Sequence, residues 1–332
     1  MDEKYILLDG NNLAHIAFHR AKSIILKNKI KQYVESLTKK GKTVWVAEKE
    51  AKQNVQIEKE DYKAISGMML LVFFRKLHKH FKKFTGTFIM TWDNPNSHEW
   101  RKQVYPDYKC RRDYEHDPIW EILFNNINEI KNVLNYYPMS QIGVEGLEAD
   151  DIIYLYSKFL SKHNTVIIVS SDSDLVQIAQ EFKNVKVYHP IKDIYVNIPK
   201  DYDVVIYKAF KGDKTDDIGG VPGFGEKKAL KAAREIASGI EILNVIENAI
   251  PKKTKKDVSN KLNIVKENLE IIKRNLTLIK ISNNPILKNL TINKSLFVDV
   301  DKINLKEIQK FYFKHKLLSL LEEFATISAI FS

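Results

Sequence analysis

Cysteine is almost missing from this chain. The single one, Cys110, cannot close an internal disulfide and excludes a zinc site built on several thiolates. A reducing compartment is the expected setting. Long apolar runs are missing too: the longest, Met68 to Phe74, falls far short of the ~20 residues of a membrane span. The start, Met1-Asp2-Glu3-Lys4, lacks the basic and apolar regions of a secretory leader, so the expectation is a cytoplasmic protein with no membrane partner. Histidine pairs suited to a metal are scarce; His78 and His80 would point apart on a helix and read as solvated. Glycine is sparse, twelve in 332 residues, and four of the twelve lie between Gly219 and Gly225.

What is present is enough apolar content, 44%, for about two packed domains, and a net charge of +11. Residues 1–200 carry 30 basic against 25 acidic side chains and residues 201–332 carry 23 against 17, so the excess is spread over the molecule. That suits contact with a polyanion along an extended track.

Strand-like runs at Tyr5 to Leu8, Thr87 to Trp92, Thr165 to Val169 and Val185 to Tyr188 are separated by stretches long enough for crossover helices. One such helix is marked by the 3.6-residue period of Ile152, Ile153, Leu155, Tyr156, Phe159 and Leu160, another runs from about Asp61 to Lys83, and Met68 to Phe74 reads as core. The pattern predicts an α/β fold with a mostly parallel central sheet flanked by helices over residues 1–203. After about residue 203 the strands stop and a mainly α domain, 204–332, is expected. Residues 94–118 fit neither pattern and read as an insertion, and Lys252 to Lys256 reads as a solvated linker.

The acids are the most informative feature. Asp9 and Asp93 each follow an apolar run directly, and Asp172 and Asp174 lie just past Val166 to Val169. In a parallel sheet these positions share the carboxyl edge, where such folds bind ligands. Glu148, Asp150 and Asp151 open the periodic helix, and Asp213 and Asp216 stand at the junction with the helical domain. Each alone is explained by the preference of loops and first helical turns for acids. Together they would repel, each like-charge pair at about 4 Å costing roughly 4 kcal/mol at an effective dielectric of 20, unless cations intervene. Hard oxygen donors favour Mg²⁺ or Mn²⁺, and two such ions about 4 Å apart suit phosphoryl displacement.

Two further segments suit nucleic acid. Gly219 to Ala229 would form a hairpin between helices in which the backbone of Gly220, Gly223 and Gly225 approaches a phosphate and Lys227 and Lys228 follow the strand. Between Trp100 and Arg112, rings such as Tyr108 alternate with Arg101, Lys102, Lys109, Arg111 and Arg112, which suits stacked bases and paired phosphates.

Six motifs, in order, carry a resemblance: Leu8-Asp9-Gly10-Asn11-Asn12; Thr91-Trp92-Asp93; Trp100-Arg101 with Tyr105 to Arg112; Glu148-Ala149-Asp150-Asp151; Ser171-Asp172-Ser173-Asp174; and Gly212 to Asp217 with the glycine hairpin. Over roughly residues 5–235 the chain resembles the 5′ nuclease (flap endonuclease) family. Asn184-Val185-Lys186, Pro190-Ile191-Lys192, Lys211-Gly212-Asp213-Lys214 and Lys266-Glu267-Asn268-Leu269 make it most similar to the T-even phage ribonuclease H type. The resemblance implies a PIN/resolvase-like sheet, a helical arch at about 94–118 and a helix–hairpin–helix at about 210–235 that grips duplex, with K⁺ at the hairpin. It implies a Mg²⁺-dependent 5′→3′ nuclease removing RNA primers and flaps in DNA replication. Asp9, Asp93, Glu148 and Asp150 would hold one metal, Asp172, Asp174 and Asp213 a second, with Asp151 and Asp216 close by. Lys109 and Arg112 would contact the scissile phosphate, and Tyr108 would stack on a terminal base. Substrates would be DNA and RNA–DNA hybrid with 5′ ends or flaps. A monomer in the host cytoplasm, with a sliding clamp or single-strand-binding protein as further partner, completes the expectation.

At the level of sequence, i, i+3 spacing pairs Glu148 with Asp151, whereas the family pattern pairs it with Asp150. Two other functions stay open: a non-catalytic binder of DNA junctions, and a phosphatase using a strand-end Asp-x-Asp.

Overall fold

The runs at 5–8, 87–92 and 165–169 form strands with apolar residues buried on both faces, as parallel strands covered by helices require, whereas the run at 185–188 exposes Lys186 on one face. The computed structural model describes residues 3–111, 117–250, 258–290, 292 and 303–329. Its strands are β1 (Lys4–Asp9), β2 (Thr87–Thr91), β3 (Ser140–Ile142), β4 (Thr165–Val169), β5 (Val185–His189) and β6 (Ile194–Tyr195), in the sheet order β3-β2-β1-β4-β5-β6. β1 pairs with β4 and β4 with β5 in parallel, and β6 returns antiparallel against β5. The strand order reverses between β1 and β4, so the crevice at their carboxyl ends is the topological switch point. β3 and β6, three and two residues long, were too short to show a period in the sequence.

The helices are α1 (Gly10–Lys39), α2 (Val44–Asn54), α3 (Tyr62–Lys83), α4 (Glu99–Val104), α5 (Ile119–Leu134), α6 (Ala149–Leu160), α7 (Val176–Glu181), α8 (Val204–Lys211), α9 (Glu226–Ala237), α10 (Ile242–Ala249), α11 (Val258–Ile279), α12 (Leu305–Lys314), α13 (Leu318–Glu322) and α14 (Phe324–Ser328). Two compact units result, each discontinuous in sequence: Met1–Asp9, Ile89–Asp113 and Ile142–Leu296 form one, and Gly10–Phe88, Tyr114–Gln141 and Phe297–Ser332 the other.

The first unit holds the strand ends. Of the periodic residues on α6, Ile152, Ile153, Tyr156 and Leu160 are buried, whereas Leu155 is half-buried and Phe159 is exposed. A second core, with Phe210, Val221, Phe224, Ala229 and Ile246, binds α8 to α11 together. Between α8 and α9 lies a short antiparallel pair, β7 (Gly212–Asp213) and β8 (Ile218–Gly219), where the sequence pattern had predicted no further strand. It forms because two bare backbones meet: a Cβ on Gly220 would lie 2.2 Å from the Lys211 carbonyl oxygen, and Gly212 has φ +79°.

The second unit is helical. Its core stacks Phe74 and Phe81 of α3 on Tyr137, and Tyr312 of α12 closes over Phe74. Here one expectation is corrected: His78 and His80 are 1% and 2% exposed, because α3 is covered on most of its circumference. His78 Nε2 lies 3.2 Å from the Tyr137 hydroxyl and 3.0 Å from that of Tyr312, and burial pushes its pKa down to about 3. A further histidine pair escaped the sequence reading: His15 and His19, one turn apart on α1, stack with ring centroids 6.3 Å apart.

Candidate active site

At the end of β1, Asp9 is 7% exposed and its Oδ2 accepts a hydrogen bond from Ser170 Oγ at 2.8 Å, across the crevice at the end of β4. Parallel register explains the meeting, since Leu8 lies opposite Val169 and the next residues of both strands emerge together. Beyond Ser170 the chain turns on its own side chains. The Asp172 amide donates to Ser170 Oγ at 3.1 Å, and Asp172 Oδ1 accepts the Asp174 amide at 2.8 Å. Asp172 is left exposed on this turn.

Asp93, past β2, accepts the Ala149 amide at 2.8 Å through Oδ1. A carboxylate there is favoured by the positive end of α6. At the same helix start, Glu148, Asp150 and Asp151 bring ligand oxygens within 4.8 Å of one another. Asp151, fully buried, accepts the Glu148 amide at 3.0 Å and Asn284 Nδ2 at 2.8 Å, with Arg101 Nη2 at 3.4 Å. Asp150 is half-exposed, and its Oδ1 accepts the Asp151 amide at 3.1 Å. The two neighbours thus do different things: Asp151 locks the helix start through the Glu148 amide and Asn284, and Asp150 stands beside it in the same carboxylate trio.

Cations hold this cluster. Arg101 and Lys109 take the two carboxylate oxygens of Glu148. Arg101 is 2% exposed, and its Nε donates to the Leu278 carbonyl at 3.3 Å. Burial alone would lower its pKa, but Glu148 and then Asp151 raise it. Burial, reinforced by Glu148 and Asp151, raises Asp150 well above the usual carboxylate range. Asp151 is pushed up to about 6, burial outweighing Arg101.

Asp174 and Asp213 are gathered in a similar way. Lys208 bridges Asp174 and Asp213, donating to Asp213 Oδ2 at 2.8 Å. Burial and the charge of Asp172 raise Asp174 to about 7, whereas Lys208 overcomes burial and holds Asp213 below its ordinary value. Lys208 was missed from sequence. The signal was there: it lies four residues after Val204 on the face that also buries Val205, where a lysine requires an acidic partner.

The basic-aromatic segment is zipped to the Asp216–Asp217 turn. The Lys109 amide donates to the Asp216 carbonyl at 3.0 Å, Tyr108 Oη to Asp216 Oδ2 at 3.2 Å, and the Arg111 amide to Asp217 Oδ2 at 2.9 Å. Lys109 and Asp217 both have positive φ, +55° and +57°, a strained conformation that clusters at functional sites. Tyr108, given a stacking role by the resemblance, is 2% exposed and packs with Val205, Ile218 and Leu278. Lys102 is half-buried and Arg111 exposed; Arg112 lies outside the described residues, as does Tyr114. In the glycine segment, Gly220 is committed to the backbone approach beside Lys211. Gly223, at φ +82°, and Gly225 face open space, with Lys227 and Lys228 exposed beside them.

Among the described residues, the trio at the start of α6 is the group of three potential ligands that converges most closely. Its donors are all carboxylate oxygens, which fits a hard divalent cation. Carboxylates gathered at the switch point of a mostly parallel sheet, with cations set among them, suit metal-assisted chemistry on a phosphate group.

The family follows from comparison. The model of the 5′-3′ exonuclease N-terminal resolvase-like domain matches residues 4–206, and the chain belongs to that family. The 5′-3′ exonuclease of Mycoplasmopsis pulmonis is 25% identical over 323 residues, 93% of either chain. Flap endonuclease Xni of Shewanella pealeana is 31% identical over 176 residues, 50% of this chain and 66% of its own. In fold, the T5 D15 protein co-crystallised with metal ions is similar at a TM-score of 0.57 and 18% identity, over 93% of this chain and all of that one.

Proposed function

We propose that this nuclease uses Mg²⁺, with Mn²⁺ able to substitute, to hydrolyse phosphodiesters at the 5′ ends of RNA–DNA hybrids and of flapped or duplex DNA, removing primers during replication. The observation that carries the reading is the Glu148, Asp150 and Asp151 trio, with Asp93 hydrogen-bonded to the same helix start. In this reading Asp9, Asp93, Glu148 and Asp150 hold one ion and Asp172, Asp174 and Asp213 a second, with Asp151 and Asp216 behind them. When bound, the metal supplies Lewis-acid polarisation of the phosphoryl group and acidifies water.

The chain's own groups do the rest. Ser170 orients Asp9, Arg101 fixes Glu148, and Lys208 aligns Asp174 with Asp213. Lys109, seated against Glu148 and 3.9 Å from Asp216, brings positive charge to where it would build on the phosphoryl oxygens, with Arg112 as its companion. Lys102, Arg111, Lys227 and Lys228 contact phosphates, and Gly223 and Gly225 admit the strand, while the buried Tyr108, Arg101 and Gly220 position the elements that do so. Residues 204–332 as a DNA-binding domain with a helix–hairpin–helix, K⁺ at its hairpin, a monomeric state in the cytoplasm, and docking to a sliding clamp or single-strand-binding protein are parts of the proposal that rest on the family resemblance.

The test is cleavage of a 5′-flap duplex and an RNA–DNA hybrid, each labelled at both ends, with EDTA and Asp172→Asn as controls. Short products from the 5′ end, lost in both controls, are expected. Intact turnover by Asp172→Asn would overturn the assignment of the second metal.

A further inference from the structure

Away from the strand ends, the first unit carries a groove of about 1080 Å³. It lies between α7, the stretch 198–203 and the last turn of α9. Its apolar surface comes from the half-buried Ile198 and Pro199, over Val185 and Val205, which are 4% and 8% exposed. Around it stand Lys183, Lys200 and Lys280, all exposed. The two acids at its wall are already engaged. Asp203 caps α8 by accepting the amides of Val205 and Ile206, and Glu181 accepts the Tyr154 hydroxyl at 2.9 Å. The glycine turn sits at the opposite end of α9, twelve residues or about 18 Å away.

Two glutamines on α7 fix both walls. Gln180 Nε2 donates to the carbonyls of Pro199 and Tyr202 at 3.0 and 2.8 Å, and its Oε1 accepts the Val204 amide at 3.0 Å. Gln177 spans the other wall, donating to the Ile279 carbonyl at 3.1 Å and accepting the Ile281 amide at 3.0 Å, which pins Lys280 between them. Such clamping means that the groove itself bears little ordering cost when a ligand enters.

We propose that this groove is a docking site for an acidic, extended segment of a partner protein that carries apolar side chains. Three lysines outnumber the two hydrogen-bonded carboxylates of Glu181 and Asp203 and leave the lining with a net positive charge that selects an acidic segment, and the apolar lining selects against a ligand without apolar groups. A nucleic-acid strand matches less well, because a phosphodiester chain gains nothing from Ile198 and Pro199, and affinity for it would need cations along a polar track. An acidic peptide gains from both, as peptide grooves do when pockets take side chains and charges set the partner.

The experiment titrates the full-length protein into a fluorescein-labelled octapeptide alternating Asp with Phe and Leu, read by anisotropy. Two comparison peptides replace Asp by Lys or the apolar residues by Ser. Lys183→Glu/Lys200→Glu and, separately, Ile198→Asp are tested beside the native chain, with thermal unfolding to establish that each variant folds and flap cleavage as the activity readout. The expected result is saturable binding of the acidic apolar peptide alone, weakened at least about tenfold by either variant, with cleavage unchanged. Absent binding, binding indifferent to both variants, or a loss of DNA binding in place of peptide binding would overturn the proposal; the last would make the groove part of the nucleic-acid track.

Discussion

A buried carboxylate without a cation is costly, and the cations around Glu148 therefore define the site as much as the acids do. Arg101→Ala would leave Glu148 and Asp151 buried against each other, a loss of about 3–5 kcal/mol that would appear as a large fall in Tm. Lys109 is different, since its ammonium sits at the partly open side. Lys109→Ala should lower kcat by about 10²–10³-fold with a smaller effect on substrate binding, and a change confined to KM would count against a role in the transition state. The acids themselves were legible in the sequence, because Asp9 and Asp93 each end an apolar run and a parallel sheet brings such ends to one edge. Ser170 and Asn284 were not, since their partners lie 161 and 133 residues away. The choice between Asp150 and Asp151 was equally beyond spacing: both lie in the first turn, and only the donors converging on Asp151 separate them.

Among elements, the glycine segment separates two uses of one residue type. Gly220→Ala would drive a Cβ into the Lys211 carbonyl and should cost about 2–3 kcal/mol. Gly223→Ala meets open space and only the penalty of φ +82°, about 1 kcal/mol, so its larger effect should fall on DNA affinity. Urea unfolding and flap binding of the two variants measure both sides. Helices α3 and α12 are joined through His78, Tyr137 and Tyr312. The folded-state pKa of His78 is depressed to about 3, so below 6.5 the unfolded chain takes up a proton that the folded one refuses. Stability should therefore fall as pH drops from 6.5 toward 3, by about 1.4 kcal/mol per unit from this group. Urea unfolding of His78→Phe against the native chain should show a shallower pH dependence; parallel curves would contradict it. Sequence pattern found β1, β2, β4 and β5 with α3 and α6, and beyond residue 203 a helical trend only; it placed neither α1, the longest described helix, nor α5. It missed β3 and β6, too short to have one, and placed His78 in solvent because a basic helix end hides how fully its flank is covered.

Across the whole molecule, a net charge of +11 coexists with an acidic cluster, and the two suit a polyanion brought to carboxylates that only a divalent cation makes hospitable. Family, sheet and acid order were all readable in the chain because six short motifs keep their sequence order. The discontinuous packing of the two units was not, since it joins residues 305–328 to helices at the other end of the sequence. The central proposal is that Asp150 serves catalysis, whereas its neighbour Asp151 serves the start of α6. Its most direct test is Asp150→Asn, measured for binding and for cleavage of the same 5′-flap duplex at saturating Mg²⁺. The account predicts an unchanged Tm, flap affinity kept and cleavage abolished. Native turnover by that variant would contradict it.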